Sequence, residues 1–306
     1  MTPTRSTLRL RTRQAIFLAT IAWSLVAFPA GAQQANAQPA TAPQAGAPVG
    51  PGQSTAVLFV GNSLTYVNNL PALLRALGDA QGMAISTETW AAPGGTLAER
   101  WREGHVAGAL RTRRFDVVVL QEQGGHLSAC MASAQEQRKA PCAASLRAYR
   151  EIAKRAQEQG ARTLLFQTWG PDAKWQSRLD RSLRMVADQA SAAIFDAAGA
   201  LEALHKAQPK AVLYPDGTHP STQASLMLAL ALYRDITGAT PVARDLRVRA
   251  PLLPVNAAVA ADAPIESQPS LAGNGAVTLV PAALLAPLLG ALPDKNDKDD
   301  KDDKEN

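Results

Sequence analysis

Three residues of this chain have the types and the spacing of a nucleophile and its base. Ser63 stands in Gly61-Asn62-Ser63-Leu64-Thr65, just past the apolar run Val57-Leu58-Phe59-Val60. Asp216 and His219 stand far downstream, in Tyr214-Pro215-Asp216-Gly217-Thr218-His219-Pro220. A carboxylate three residues before an imidazole, with Gly between and Pro after, can reach the ring Nδ1 in a turn and leave Nε2 pointing outward. A serine nucleophile needs that pair: the imidazole takes the hydroxyl proton, and the carboxylate fixes its tautomer. Such chemistry also needs hydrogen-bond donors for an oxyanion. Gly94 and Gly95 can present backbone N–H groups, and Gln121 a side-chain amide, with Gln123 as its nearest substitute. Each piece alone has a plainer reading as turn chemistry or a polar strand end.

The elements that must carry these residues read as strands and helices in alternation. Residues 56–60 form a buried strand, and Leu70, Leu73, Leu74 and Leu77 make one stripe of a helix over 70–80. A second strand over 84–90 leads into the Gly94-Gly95 turn and a helix through Leu97, Trp101 and His105. The run 115–120 is apolar on both faces, as a central strand requires, and Gln121 follows its end. A loop is expected over 128–142, then a helix over 144–159, a strand over 162–167 and a helix through Leu179, Leu183 and Val186. A short strand over 192–195, a helix over 201–207 and a last helix over 221–238 complete the series. This alternation predicts an α/β fold, a three-layer α/β/α domain over 55–240 with a parallel sheet. Ser63, Gly94 and Gln121 then follow three strands at their carboxyl ends, where open sheets of this kind place their chemistry.

In these blocks the chain resembles the SGNH (GDSL-like) hydrolase superfamily. In that family a Ser follows the first strand in a Gly-Asp-Ser-type block, a Gly and an Asn come after the next two, and a late Asp-x-x-His completes the set. Here Asn62 replaces the Asp of the first block, Gly94 matches the second, and Asp216 and His219 match the last. The third block departs, with Leu120-Gln121-Glu122-Gln123 in place of Gly-x-Asn-Asp. Branches acting on carbohydrate esters use a Gln-containing block there, which Gln121 resembles. The resemblance implies a flavodoxin-like sheet and ester hydrolysis without metal or organic cofactor. It implies Ser63, Asp216 and His219 as the triad, and Ser63, Gly94 and Gln121 as the oxyanion hole. The substrate class it implies is an acyl ester on a small molecule or a polysaccharide, short acyl groups preferred. A lipid-type ester, acyl transfer to a sugar, and a non-catalytic carbohydrate binder with Trp90, Trp101, Trp169 and Trp175 as stacking faces are the alternatives. Asp196 is a rival acid, though no His lies near it in sequence.

Other chemistries find no pattern. No Gly-x-Ser-x-Gly elbow, Gly-x-x-x-x-Gly-Lys loop, CxxC or HExxH occurs, so no phosphate loop or metal site is expected. The formal net charge of +5 includes four arginines within residues 1–32, leaving +1 for the remainder, which gives no reason to expect nucleic acid as a partner. Those arginines, the apolar run 15–28 and the small residues Ala30-Gly31-Ala32 read as a signal peptide over 1–32, with an uncleaved anchor as the rival. Export to the periplasm or medium follows, and in an oxidising compartment Cys130 and Cys142 are expected to pair. Residues 33–54 read as an Ala/Pro/Gln-rich linker and 241–293 as a Pro-interrupted apolar extension with no expected membrane span. The Lys/Asp tail 294–306 reads as disordered.

Overall fold

The computed structural model describes residues 54–293. The segments read as signal peptide, nearly all of the linker, and the Lys/Asp tail lie outside the described residues. In chain order the elements are β1 (Thr55–Gly61), α1 (Ser63–Tyr66), α2 (Leu70–Gln81), β2 (Ile85–Ala91), α3 (Leu97–Arg102) and α4 (His105–Thr112). There follow β3 (Val117–Leu120), α5 (Gly124–Cys130), α6 (Ala134–Arg138), α7 (Ala140–Glu158), β4 (Arg162–Phe166), α8 (Ala173–Ala190), β5 (Ala193–Phe195) and α9 (Ala197–Ala207). The chain continues with α10 (Thr222–Thr237), β6 (Leu246–Val248), β7 (Thr278–Val280) and α11 (Ala282–Leu289).

Strands β1 to β5 form one parallel sheet in the order β2-β1-β3-β4-β5, which is the flavodoxin-like order. Alternate residues of each strand feed two cores. Val57 and Phe59 of β1 point to a core with α2, α9 and α10, while Leu58 and Val60 point to one with α3, α4, α7 and α8. The middle strand β3 is buried on every residue, as its all-apolar sequence predicts. Register brings the functional loops level: Gly61 stands opposite Ala91, and Val60 opposite Leu120. The turns after β1, β2 and β3 therefore leave the sheet side by side.

Two expectations are corrected. Residues 128–142 are not a loop: α5 runs through the first cysteine, α6 is capped by Ser133 Oγ accepting from Glu136 N at 3.2 Å, and α7 already begins at Ala140. Pro141 sits in the first turn of α7, where its missing N–H costs nothing. Likewise the helix expected through Leu97, Trp101 and His105 breaks at Gly104 (φ 80°), which separates α3 from α4.

The extension after residue 240 does not stand apart from the domain. Leu246, Val248, Val280, Leu285 and Leu288 complete the same core as α2 and α10, because the prolines that interrupt its periodicity still leave apolar side chains facing inward. A smaller cluster joins Leu253, Val259, Ile265 and Leu271 to Tyr66, Val67 and Ala91, beside the turns that follow β1 and β2. Glu266 caps the outer edge of β2, accepting from Thr89 N (2.8 Å), Thr87 Oγ1 (2.7 Å) and Thr89 Oγ1 (2.7 Å) and pairing with Arg75. Among the described residues no helix is long and apolar enough to cross a membrane.

Candidate active site

Gly61 ends β1 where no larger residue fits: a Cβ there would lie 2.6 Å from Thr65 Oγ1 and 2.7 Å from Gln121 Oε1. Asn62 then caps α1, its Oδ1 accepting from Leu64 N at 3.1 Å. Its Nδ2 donates to Gly95 O at 3.0 Å, which ties the first block to the Gly94-Gly95 turn. Ser63 is thereby the first residue of α1, half-buried, at the carboxyl edge of the sheet.

From the far end of the domain, the loop before α10 brings His219 to this point. The Ser63 hydroxyl lies 2.9 Å from His219 Nε2, and His219 Nδ1 lies 2.7 Å from Asp216 Oδ2. That arrangement suits an imidazole carrying its proton on Nδ1, so that the serine donates to Nε2. The other oxygen of Asp216 accepts from the N–H groups of His219 (2.7 Å) and Thr218 (3.0 Å). Those two N–H groups, with the His219 ring, hold the Asp216 carboxyl down at about 2. Behind the loop, Trp169 stacks on Tyr214 and its indole N–H donates to Thr218 O at 2.8 Å. Desolvation raises the Tyr214 phenol above its ordinary value. The rival acid Asp196 instead caps α9, accepting from Gly199 N at 2.7 Å.

The donors sort differently from the sequence expectation. Among the described residues the backbone N–H groups of Ser63 and Gly94 have no hydrogen-bond partner, and Gly94 sits exposed in a left-handed turn (φ 63°). Gln121, expected to supply an oxyanion donor, lies buried and bonded beneath the turn and not open to solvent. It is 0% exposed, its Oε1 accepts from Asn62 N (2.9 Å) and Thr65 Oγ1 (3.0 Å), and its Nε2 donates to Glu122 O (3.0 Å). Gln121 is thus a strut beneath the Ser63 turn. Gln123 is exposed at the N-cap of α5, and its side-chain amide has no hydrogen-bond partner among the described residues.

Between them, Glu122 is buried and gathers backbone from both neighbouring turns, accepting from Leu97 N (3.1 Å), Gln123 N (2.9 Å) and Ser145 Oγ (3.1 Å). Burial raises its carboxyl to about 7. Ser145 Oγ also lies 2.9 Å from His126 Nε2, in the helix that ends at Cys130. Cys130 is bonded to Cys142, Sγ to Sγ at 2.02 Å, which links α5 to the first turn of α7. Sequence reasoning missed Glu122, Trp169 as the support of the His219 loop, and Asn68, whose Nδ2 donates to Pro220 O at 2.8 Å, although Asn68-Asn69-Leu70-Pro71 is a legible turn before a helix.

Among the described residues Trp90 is buried, and Trp101, Trp169 and Trp175 are partly buried against the two cores. Trp90 is 8% exposed, stacked on His105 and donating to Glu88, and Trp101 lies under Arg155.

No family model and no curated protein matches this chain. Solved structures do. A protein from Slackia heliotrinireducens described as an SGNH hydrolase is 23% identical, covers 61% of this chain and 100% of its own, and superposes with a TM-score of 0.45. An acetyl xylan esterase from Geobacillus stearothermophilus is 17% identical over 64% of this chain and 99% of its own, with a TM-score of 0.47. A GDSL-like lipase from Parabacteroides merdae is 14% identical over 63% and 99%, with a TM-score of 0.46.

Proposed function

We propose that the chain is an exported serine esterase that removes short acyl groups, acetyl foremost, from carbohydrate. One observation carries the reading: Ser63 Oγ lies 2.9 Å from His219 Nε2, and His219 Nδ1 lies 2.7 Å from Asp216 Oδ2, at the carboxyl edge of a parallel sheet. Ser63 Oγ attacks the ester carbonyl carbon and passes its proton to His219 Nε2. The negative charge that forms on the carbonyl oxygen is met by the N–H groups of Ser63 and Gly94 and by the Gln123 amide. His219 then protonates the leaving alcohol as the C–O bond breaks, and an acyl group remains on Ser63. Water, deprotonated by the same imidazole, releases the acid and restores the serine. Asp216 stays ionised throughout, so it stabilises the imidazolium in both halves. The Gln-containing third block and the arginine-led N-terminal segment support a carbohydrate ester met outside the cytoplasm.

The test is hydrolysis of chromogenic acyl esters of increasing chain length beside acetylated polysaccharide, for the wild type and Ser63→Ala. The expected result is turnover that falls with chain length and is absent in the variant. Turnover that survives Ser63→Ala overturns the assignment, and turnover rising with chain length overturns the acyl class.

A further inference from the structure

Between the nucleophile turn and α2 the backbone does something that ordinary residues avoid. Asn68 (φ 55°, ψ 11°) and Asn69 (φ 55°, ψ 56°) are both left-handed, and neither is glycine. Asn tolerates that conformation better than most residues, but two in succession persist only where the surroundings hold them. The extension holds both. Leu253 O accepts from Asn68 N at 2.8 Å, and Pro251 O accepts from Asn69 Nδ2 at 3.0 Å.

The two side chains then part company. Asn69 turns to its own helix, Oδ1 accepting from Ala72 N at 3.2 Å. Asn68 reaches across the sheet edge to the His219 loop. Its Nδ2 donates to Pro220 O (2.8 Å) and Ser225 Oγ (3.1 Å), and its Oδ1 accepts from Thr222 Oγ1 (3.1 Å). Pro220 is the residue after His219, and Thr222 opens α10. A single half-buried amide therefore joins the segment five residues past Ser63 to the segment one residue past its base, over a sequence separation of 152.

We propose that Asn68 is a positioning residue: seated by Leu253 O, its amide fixes the distance between Ser63 Oγ and His219 Nε2. The proposal rests on the reading of Ser63 and His219 given above. It also gives the extension a part in turnover, since the extension supplies the carbonyl that seats Asn68. Loss of the amide lets the Pro220 peptide drift, and small misplacements of a base are costly in rate.

The experiment uses the full chain and an active-site-directed fluorophosphonate, which both counts working sites and reports the reactivity of Ser63. Asn68→Gly keeps the left-handed backbone and removes the amide. The expected result is a fall of about 10- to 100-fold in kcat per titrated site and in labelling rate, with KM within about twofold. Asn69→Gly removes the neighbouring side chain, whose hydrogen bonds go to Pro251 O and Ala72 N and not to the His219 loop. It should lower Tm while leaving kcat per titrated site within about twofold. Equal per-site kcat in wild type and Asn68→Gly overturns the proposal, as does an equal loss in both variants. If Asn68→Gly does not fold, Asn68→Asp keeps the size and turns an oxygen toward Pro220 O. The same fall is expected, and an unchanged per-site kcat refutes it. A wild type that hydrolyses esters without taking label at Ser63 removes the reading of the centre, a result distinct from any of these.

Discussion

Replacing Glu122 with Gln should change how stability depends on pH, by an amount the structure supplies. Glu122 is 2% exposed, and the three donors around it do not offset the cost of burying its charge. Its carboxyl stands at about 7 instead of 4.5. At about 1.4 kcal/mol per pH unit, that displacement is worth about 3 kcal/mol. The sign follows from where the proton is held more tightly. The folded chain keeps it better than the unfolded chain, so the stabilisation is fully present below pH 4.5 and is lost as the pH rises to about 7. Urea unfolding of wild type and Glu122→Gln between about pH 4 and about pH 8 reads this directly. The difference between the two unfolding free energies should move by about 3 kcal/mol in favour of the variant across that window. His126, whose pKa burial lowers, contributes in the opposite direction, but it is present in both proteins and drops out of the difference to first order. A difference that stays constant with pH would show that Glu122 is ionised at no unusual cost, and the electrostatic account of this buried hub would be wrong.

Other outcomes follow from the same geometry. A fluorophosphonate should modify Ser63 alone, and mass spectrometry that finds another serine modified would refute the nucleophile. Gln123→Ala should lose about 10²–10³ in kcat with little change in KM, as expected for one oxyanion donor. Gln121→Ala should instead lose stability, at about 1–3 kcal/mol for each buried donor left unpaired, with a smaller effect on kcat. The reverse order in steady-state kinetics and melting would restore Gln121 to the oxyanion. Replacing Cys130 and Cys142 with Ser opens a loop of sequence separation 12 and should cost about 3 kcal/mol, read as a lowered Tm without reductant.

The meeting of Asp216 with His219 was legible because its geometry is local. Gly61 permits the tight exit from β1, and Asp216-Gly217-Thr218-His219 folds its own carboxylate onto its own ring. The sheet was legible for a similar reason, since β3 has no polar residue to spoil it. The burial of Gln121 was not legible, because the alternation of side chains past a strand depends on where pairing stops. Gln121 N still donates to Val60 O at 2.9 Å, so the ladder runs one residue beyond Leu120 and carries the Gln121 side chain inward. Gln123 then falls at a helix cap. Helix α6 buries none of its residues, so it left no apolar period to find. The extension packs through scattered residues such as Leu253, Ile265 and Leu285, whose partners lie far away in sequence and whose prolines erase any repeat.

The cap that Glu266 places on β2 has a consequence for the company the protein keeps. A parallel sheet ends in rows of backbone donors and acceptors, and an open row is a template on which another chain can pair. The outermost strand here, Ile85–Ala91, is seven residues long and rich in β-branched and aromatic side chains, the composition that self-associates most readily. A carboxylate lying against its N–H at Thr89, with Arg75 beside it, puts a charged obstacle where an incoming strand would dock. Glu266→Ala would take that obstacle away while leaving the core side chains in place, and light scattering should show the variant associating where the wild type does so less.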